Sequence, residues 1–477
     1  MNKLLSDSLV YGISNIAGKL INIFMLPIYA SSFSVEDYGT LSIVVVFTAI
    51  ISQLTILQLD SASFRFVSAE SPLLEKQKTY STWFFTEAGI SLVFLLIFSL
   101  FSSGLSSILL GSSQFSNLLL IGLLIIPINT VEYVALTEMR LRNWKWFITG
   151  LNLSSATLQI ILTYILITHF NQGIIAILYA NLIISVMKSL ICYFPIIHFI
   201  RIKSFSLIHL KELLLYCLPF VPAGLSLWVV SFIDRFMIEK ISNSYNVGIY
   251  QMGNTIASIV LLPISGFLFA WPPYVFSLLN NPKHKRIIST IVELFTLNAA
   301  VICLIFSAFA SEALSLFANE KYFAAIQVIP FLLFSNLSMG LYQLSGIGSA
   351  IAKKTKPVMW ATLFGALLNI VLNFILIPMW GGVYGASFAT LISYSAIPLV
   401  LFRISQKNYP IPFNFIKIIL YYLFPFTLSL LCNVYFENFG LSVSFFVIKL
   451  IGSFLVLGAL IFLNIRIYKK NINKEEA

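Results

Sequence analysis

Charged residues are scarce in this chain. Asp, Glu, Lys and Arg make up 10% of its 477 residues, whereas a soluble globular domain carries about a quarter. Hydrophobic residues make up 59%, and the mean hydropathy is +0.93. The shortage of charge excludes an ordinary soluble domain, and the sequence predicts a polytopic membrane protein.

Cysteine and histidine are also rare. The four histidines lie in or beside loops without ligand spacing, and no CxxC pair occurs. The cysteines all fall in apolar segments, where a thiol behaves as a small hydrophobic group; they are Cys192, Cys217, Cys303 and Cys432. We therefore expect no disulfide framework, no metal site and no cofactor.

Long loops and nucleotide-binding motifs are missing. No G-x-x-x-x-G-K-[ST] pattern occurs, so ATP-driven transport by this chain alone is not expected. The longest predicted outer loops, 104–113 and 311–323, offer only Glu312 and Glu320 as catalytic acids. This argues against a membrane glycosyltransferase or polymerase and predicts a protein that is not an enzyme. The N-terminal MNKLLSD leads into a span without a small-residue cleavage site, so we expect an uncleaved first helix.

Apolar runs long enough to cross a bilayer recur fourteen times. Each is about 20 residues or longer and lacks the alternation of barrel strands, so the sequence predicts an all-α integral membrane protein. The predicted spans are 8–31, 38–64, 80–103, 114–138, 147–168, 173–198, 213–240, 247–278, 287–310, 324–350, 357–378, 382–403, 414–436 and 442–465.

The distribution of loop charge predicts the orientation. With both termini in the cytoplasm, the inner segments hold 23 of the 29 Lys and Arg residues, and the outer loops hold only Lys240 and Lys321. This is the positive-inside bias of a bacterial cytoplasmic membrane protein. The net charge of +11 is therefore loop charge. With no basic and aromatic patch outside the spans, we expect no nucleic acid partner.

A shift of about 209 residues aligns the first six predicted helices with the next six. Gly39 then falls on Gly248, and Gly173 falls on Gly382. Because six is an even number, the two copies would have the same orientation in the membrane. This predicts two parallel six-helix lobes at 1–198 and 213–403, a cytoplasmic linker at 199–212, and two additional helices with a tail at 404–477.

Four cations lie inside the predicted spans, and they are the first candidates for a functional site. Lys19 is near the middle of its span, and Asn15 and Asn22 share its helix face. A buried ammonium is costly, so such a residue faces a wet interior or snorkels to the interface. Both interpretations are open for Lys188, in the inner half of the sixth helix. The other two cations are Arg235 and Lys449.

The acidic residues in the spans are candidates for ion coupling. Asp60, Glu132 and Asp234 could carry a proton or bind sodium. Structural alternatives remain open, because Asp60 and Glu132 could balance nearby arginines and Asp234 could pair with Arg235. For Glu87 and Glu293 the structural role is favoured.

Several local patterns resemble polysaccharide-type flippases. FSVEDYGTLSIV (33–44) is similar to their loop after the first helix, and QLDSASFRFVS (58–68) to the end of their second helix. FIDRFMI (232–238) is similar to the Asp-Arg signature of their seventh helix. VGIYQMGNTIAS (247–258) is similar to their eighth helix. LNIVLNFILIPMWGGVYGASFATLISY (368–394) is similar to the hairpin of their helices 11 and 12. The chain thus resembles O-antigen (Wzx-type) flippases of the MOP superfamily, which also contains MATE exporters and lipid II flippases.

The resemblance implies a function. The family moves undecaprenyl-diphosphate-linked oligosaccharides, such as O-antigen or capsule repeat units, from the inner to the outer leaflet by alternating access. Lys19, Arg235 and Lys188 would then meet the diphosphate, Asn15 and Asn22 would line the cavity, and H⁺ or Na⁺ would drive the cycle. Glycan polymerase machinery would be a partner. The alternative is a MATE-like exporter of amphipathic cations, against which the cations Lys19 and Arg235 argue.

Overall fold

The computed structural model describes residues 23–352, 354, 356–437 and 443–472. Within these residues the chain is helical and contains no β-strand. The α-helices are Ile23–Ser32 (α1, the described part), Val35–Ile56 (α2), Leu59–Phe66 (α3), Leu73–Leu100 (α4), Ser102–Leu110 (α5), Ser116–Leu141 (α6), Lys145–Thr168 (α7), Ile175–Ile196 (α8), Leu207–Cys217 (α9), Val221–Ile241 (α10), Ser244–Ala257 (α11), Leu261–Leu278 (α12), His284–Ala308 (α13), Ala310–Phe317 (α14), Ile329–Ser345 (α15), Ile347–Ile351 (α16), Lys356–Trp380 (α17), Gly382–Asn408 (α18), Phe415–Glu437 (α19) and Val443–Ile472 (α20). Short 3₁₀ helices connect several of them at Ser113–Phe115, Ile202–Ser204, Leu218–Phe220, Ser258–Val260 and Glu320–Val328.

Thirteen helical segments of the described chain are long and apolar enough to cross a membrane. Each overlaps one of the predicted spans from 38–64 onward, which confirms the all-α membrane fold. The first predicted span, 8–31, lies largely outside the described residues, and only α1 represents it. The count of fourteen therefore stays a prediction.

Several predicted spans are interrupted in the structure, and two of them show the local cause. The span 38–64 divides into α2 and α3, because Leu57 and Gln58 adopt left-handed backbone conformations at the junction. The span 213–240 divides at a 3₁₀ turn that precedes α10. Pro222 lies in the first turn of α10, where its missing N–H leaves no hydrogen bond unmade. Hydropathy predicts apolar length but does not detect such local breaks.

The described chain divides into two compact units. One consists of residues 32–248, and the other consists of residues 23–31 together with the chain from 249 onward. Helices α9 and α10 belong to the first unit. The predicted lobes, with a linker at 199–212, rest on the sequence repeat and remain a prediction.

In the unit of residues 32–248, α6 is the central helix and packs against α2, α4, α7 and α8. Local sequence explains how α2 begins. Ser34 Oγ accepts the backbone N–H of Asp37 at 3.0 Å, and the Asp37 carboxylate accepts the N–H of Ser34 at 3.3 Å. This reciprocal capping satisfies two backbone donors at the start of the helix. Trp83, Leu119 and Met139 are fully buried in the core.

In the second unit, α18 packs against α15 and α17, and α13 packs against α15, α19 and α20. Aromatic rings join α15 to α19. The ring centroid of Phe334 lies 5.1 Å from that of Phe426 and 5.4 Å from that of Tyr422. Tyr422 OH also donates a hydrogen bond to Phe334 O at 2.9 Å, so the buried phenol is satisfied.

Candidate functional site

Three of the predicted site residues lie outside the described part of the chain. These are Lys19 and its helix-face neighbours Asn15 and Asn22. Their proposed role in the cavity stays a prediction from the sequence.

The structure brings two other predicted residues together. Lys188 on α8 donates a hydrogen bond from Nζ to Oε1 of Glu132 on α6, at 2.5 Å. Their side chains are 18% and 13% exposed. Lys188 lies eight residues before the end of α8 and Glu132 nine before the end of α6, so each is about 12–14 Å inside its helix end at 1.5 Å per residue. The pair therefore lies within two of the apolar helices, more than two turns from their ends.

The ion pair lines a polar cavity of about 280 Å³. We call this cavity the α6–α8 pocket, because α6, α7 and α8 supply its walls. Only Ala156 and Ile184 in its lining are apolar. The polar lining residues are Asn129, Glu132, Tyr133, Asn152, Ser155, Gln159, Asn181, Ser185 and Lys188.

Hydrogen bonds fix part of this lining. Gln159 Nε2 on α7 donates to Asn181 Oδ1 on α8 at 2.5 Å. Tyr133 OH lies 3.5 Å from Ser52 Oγ of α2. Asn129 Oδ1 is buried and has no hydrogen-bond partner among the described residues. Because a buried polar atom without a partner is costly, this oxygen points to water or a ligand in the pocket.

The pocket combines amide donors and acceptors, hydroxyl groups and one ion pair whose charges cancel. Such a lining suits a small polar ligand that can both donate and accept hydrogen bonds. Sequence reasoning named Glu132 and Lys188 but did not predict that they pair. It also missed Asn152, Gln159 and Asn181, although polar residues at helical spacing within apolar runs were a usable signal.

Arg235 and Asp234 lie next to each other on α10 and are buried, at 3% and 0% exposure. Arg235 Nη1 donates to Ser231 O at 2.5 Å, and the guanidinium lies 5.4 Å from the centroid of the Phe232 ring. The guanidinium is therefore enclosed by protein and not by solvent. Its position is that of a charge held inside the helical bundle.

Asp60 lies in the first turn of α3, and its Oδ1 is a buried atom without a hydrogen-bond partner among the described residues. On α4, Glu87 is fully buried and accepts a hydrogen bond from Trp83 Nε1 at 2.7 Å. A bound proton or sodium ion would neutralise either carboxylate. The role of Asp60 in coupling transport to an ion gradient stays a prediction.

A second polar cluster, centred on Glu138, was not predicted from the sequence. Glu138 on α6 is 1% exposed. It accepts hydrogen bonds from Lys76 Nζ at 2.9 Å, Arg142 Nε at 2.6 Å and Tyr80 OH at 2.6 Å. Lys76 and Arg142 also lie 5.6 Å from the centroid of the Phe199 ring. The (i, i+4) spacing of Glu138 and Arg142 was the one signal in the sequence.

Lys449, the remaining intramembrane cation, belongs to α20 and pairs with α14. Its Nζ lies 2.7 Å from Glu312 Oε1 and 3.2 Å from Ser311 Oγ. Glu293 of α13 accepts a hydrogen bond from Lys417 of α19 at 3.3 Å. Both pairs join the last two helices to other helices of their unit.

No group of three or more His, Cys, Asp or Glu residues that could hold a metal ion occurs among the described residues. The thirteen apolar helices and the polar pocket among three of them are those of a multi-pass membrane protein. The chain belongs to the family described as Polysaccharide biosynthesis protein, whose model matches residues 30–285, more than half of its length. A second family model, MatE, matches residues 219–375.

Individual relatives agree with this class. The chain is 30% identical over 215 residues to the probable multidrug resistance protein NorM of Bacillus subtilis (strain 168). That match covers 42% of this chain and 46% of NorM, so it spans less than half the length of this relative.

Solved structures show the same fold. The lipid II flippase MurJ in an inward closed conformation aligns with a TM-score of 0.75 and 18% identity, over 98% of this chain and 99% of MurJ. An inward-facing MATE multidrug resistance transporter of the MOP superfamily aligns with a TM-score of 0.64 and 15% identity, over 83% of this chain and 94% of its own. The membership of the MOP superfamily predicted from the sequence is confirmed.

Proposed function

We propose that this protein is a flippase for an undecaprenyl-diphosphate-linked oligosaccharide, such as an O-antigen or capsule repeat unit. One observation carries the proposal: the Polysaccharide biosynthesis model matches residues 30–285, which include all the described lining residues of the α6–α8 pocket. The fold shared with a lipid II flippase supports it. The protein would be a transporter rather than an enzyme and would need no cofactor.

The chemistry of such a substrate requires polar groups inside the membrane. The diphosphate is anionic and the glycan is strongly hydrated, so neither crosses hydrocarbon without a polar route. Arg235, buried in α10, and Lys19 are the cations we assign to the diphosphate. Arginine suits this role because its planar guanidinium binds two phosphate oxygens at once.

Transport would proceed by alternating access and would be coupled to H⁺ or Na⁺. The carboxylates assigned to coupling are Asp60, Asp234 and Glu132. Asp234 is buried, and one carboxylate oxygen of Asp60 is buried without a partner among the described residues. Both observations support the assignment, because an ionisable group within a span is costly unless it pairs or binds an ion. Glu132 is paired with Lys188, and its assignment rests on the sequence.

The location proposed is the bacterial inner membrane, with both termini in the cytoplasm. The excess of Lys and Arg in alternate loops supports this orientation. Glycan polymerase machinery would act on the product at the outer leaflet and is the partner we propose.

A MATE-like exporter of amphipathic compounds is the second candidate. The MatE match over residues 219–375 and the similarity to NorM favour it. Against it stand Lys19 and the buried Arg235, because a site for organic cations should be dominated by acidic groups.

Complementation tests the proposal. The full chain is expressed in a bacterium whose O-antigen or capsule flippase has been deleted, and long surface glycan is stained. We expect restored glycan. Drug-resistance and lipid II flipping assays run in parallel. Resistance without glycan in any of several deletion hosts, with the protein verified in the membrane, would favour the exporter and overturn the proposal.

A further inference from the structure

The described lining of the α6–α8 pocket carries no net charge, and this distinguishes it from a site for the diphosphate. Glu132 and Lys188 are the two charged residues in its described lining, and they are paired at 2.5 Å. A free anion would have to displace the Glu132 carboxylate from the ammonium and leave it buried without its partner, which is costly. A neutral ligand can bind beside the intact pair.

The uncharged groups of the pocket suit hydroxyl groups. Since Gln159 Nε2 is used in the bond to Asn181 Oδ1, Gln159 Oε1 and Asn181 Nδ2 remain for a ligand. The buried Asn129 Oδ1 is a further acceptor. The hydroxyl groups of a sugar both donate and accept, so two of them together can donate to the two oxygens and accept from Asn181 Nδ2, whereas a metal cation satisfies only the oxygens.

The size of the pocket limits the ligand. A volume of about 280 Å³ is at the lower end of the range for ligand pockets, roughly 300–1,000 Å³. It has room for one sugar ring and not for a whole oligosaccharide. The ring of Tyr133 in the lining supplies an apolar surface for the C–H face of such a ring.

We propose that the α6–α8 pocket binds one neutral sugar residue of the translocated glycan, through the amides of Gln159 and Asn181 and beside an intact Glu132–Lys188 pair. This inference rests on the proposed function for the source of the sugar. It assigns the pocket to the glycan and leaves the diphosphate to cations elsewhere in the chain.

Cysteine labelling of the full chain in lipid nanodiscs tests it. Ser155→Cys is introduced on α7 in a background whose four native cysteines are replaced by alanine, and a charged thiol reagent is added. The matched control is Leu158→Cys, on the apolar exposed surface of the same helix. We expect fast labelling of Ser155→Cys and slow labelling of the control. Ser185→Cys, on α8, repeats the test if Ser155→Cys fails to fold.

Protection from labelling identifies the ligand class. The probes are glucose, galactose and N-acetylglucosamine, compared with glucuronate and inorganic pyrophosphate at constant sodium concentration. We expect at least one neutral sugar to slow labelling and the charged probes to have no effect. Gln159→Ala should weaken this protection about five-fold, as expected for one lost hydrogen bond. Glu132→Gln should shift protection toward glucuronate or pyrophosphate, because it leaves Lys188 unpaired.

Equal labelling of Ser155→Cys and Leu158→Cys would overturn the proposal, since the pocket would not be wet. Protection by pyrophosphate in the unchanged pocket, or by no sugar at all, would also overturn it. Complementation is scored separately. If the chain restores surface glycan but shows no sugar protection, the proposed function stands and this inference fails. If it shows sugar protection but restores glycan in no deletion host, this inference stands and the proposed function fails.

Discussion

Gly39 and Gly248 meet where neither residue has room for a side chain. A β-carbon added to Gly39 would overlap the carbonyl oxygen of Ser244 and lie 2.9 Å from Gly248 N. A β-carbon added to Gly248 would overlap the carbonyl oxygen of Val35. The contact is reciprocal, because the 209-residue shift that relates Gly39 to Gly248 also relates Val35 to Ser244. The two helix starts therefore approach each other backbone to backbone.

We predict that Gly39→Ala and Gly248→Ala each lower the free energy of unfolding by about 2 kcal/mol, since the backbone must move apart. Gly89→Ala and Gly150→Ala are matched controls in helices where an added β-carbon meets no atom within 4 Å. Each control should stabilise the protein by up to about 1 kcal/mol, the helix propensity difference. Thermal unfolding of the purified protein measures both. Equal effects for the two pairs would contradict the close approach.

The pairing of Glu132 with Lys188 predicts a non-additive effect on stability. Lys188→Met or Glu132→Gln alone should lower the free energy of unfolding by about 3 kcal/mol, because each leaves a buried charge or polar group without its partner. The double variant should recover most of this loss. A double-mutant cycle from denaturation in detergent measures the coupling, and strictly additive losses would show that the two residues do not interact.

Glu138 should be more important for stability than its single charge suggests. Glu138→Gln keeps the size of the side chain but removes the charge that holds Lys76 and Arg142, so we expect a loss of about 3 kcal/mol. Tyr80→Phe removes one hydrogen bond and should cost about 1 kcal/mol. The control Glu75→Gln, at an exposed position of α4, should change stability by less than about 0.5 kcal/mol. An equal effect of Glu138→Gln and Glu75→Gln would argue against the network.

Arg235 tests the assignment of the diphosphate site. Arg235→Ala should reduce the amount of surface glycan in the complemented strain about tenfold or more, since charge-assisted hydrogen bonds are lost. Arg235→Lys should be intermediate, because lysine keeps the charge without the planar fork. Lys240→Ala, at the exposed end of the same helix, should leave export unchanged. Lys19→Ala should behave like Arg235→Ala, and normal export in both variants would reject the site.

Lys449 on α20 should affect stability and not transport, unlike the residues proposed to bind the substrate. Lys449→Met removes the ion pair to Glu312 and should lower the melting temperature, while protein that remains folded should still export glycan. The same stain and a thermal unfolding curve separate the two effects. Loss of export without loss of stability would assign Lys449 to the transport route instead.

The sequence by itself determined the membrane class, the position of thirteen spans and the family. These depend on local quantities, because about 20 apolar residues are needed to cross hydrocarbon wherever they occur in the chain. The motifs at 33–44, 58–68 and 232–238 were likewise readable, since their residues are adjacent in the chain.

Tertiary structure alone decided how the intramembrane charges pair. The sequence named Lys188 and Glu132 separately, but 56 positions divide them, and helical periodicity does not say which helices become neighbours. For the same reason it missed the contact between Lys76 and Glu138, 62 positions apart. The pocket and its neutrality follow from the packing of α6 against α7 and α8, because side chains from three separate spans must converge before their charges can cancel.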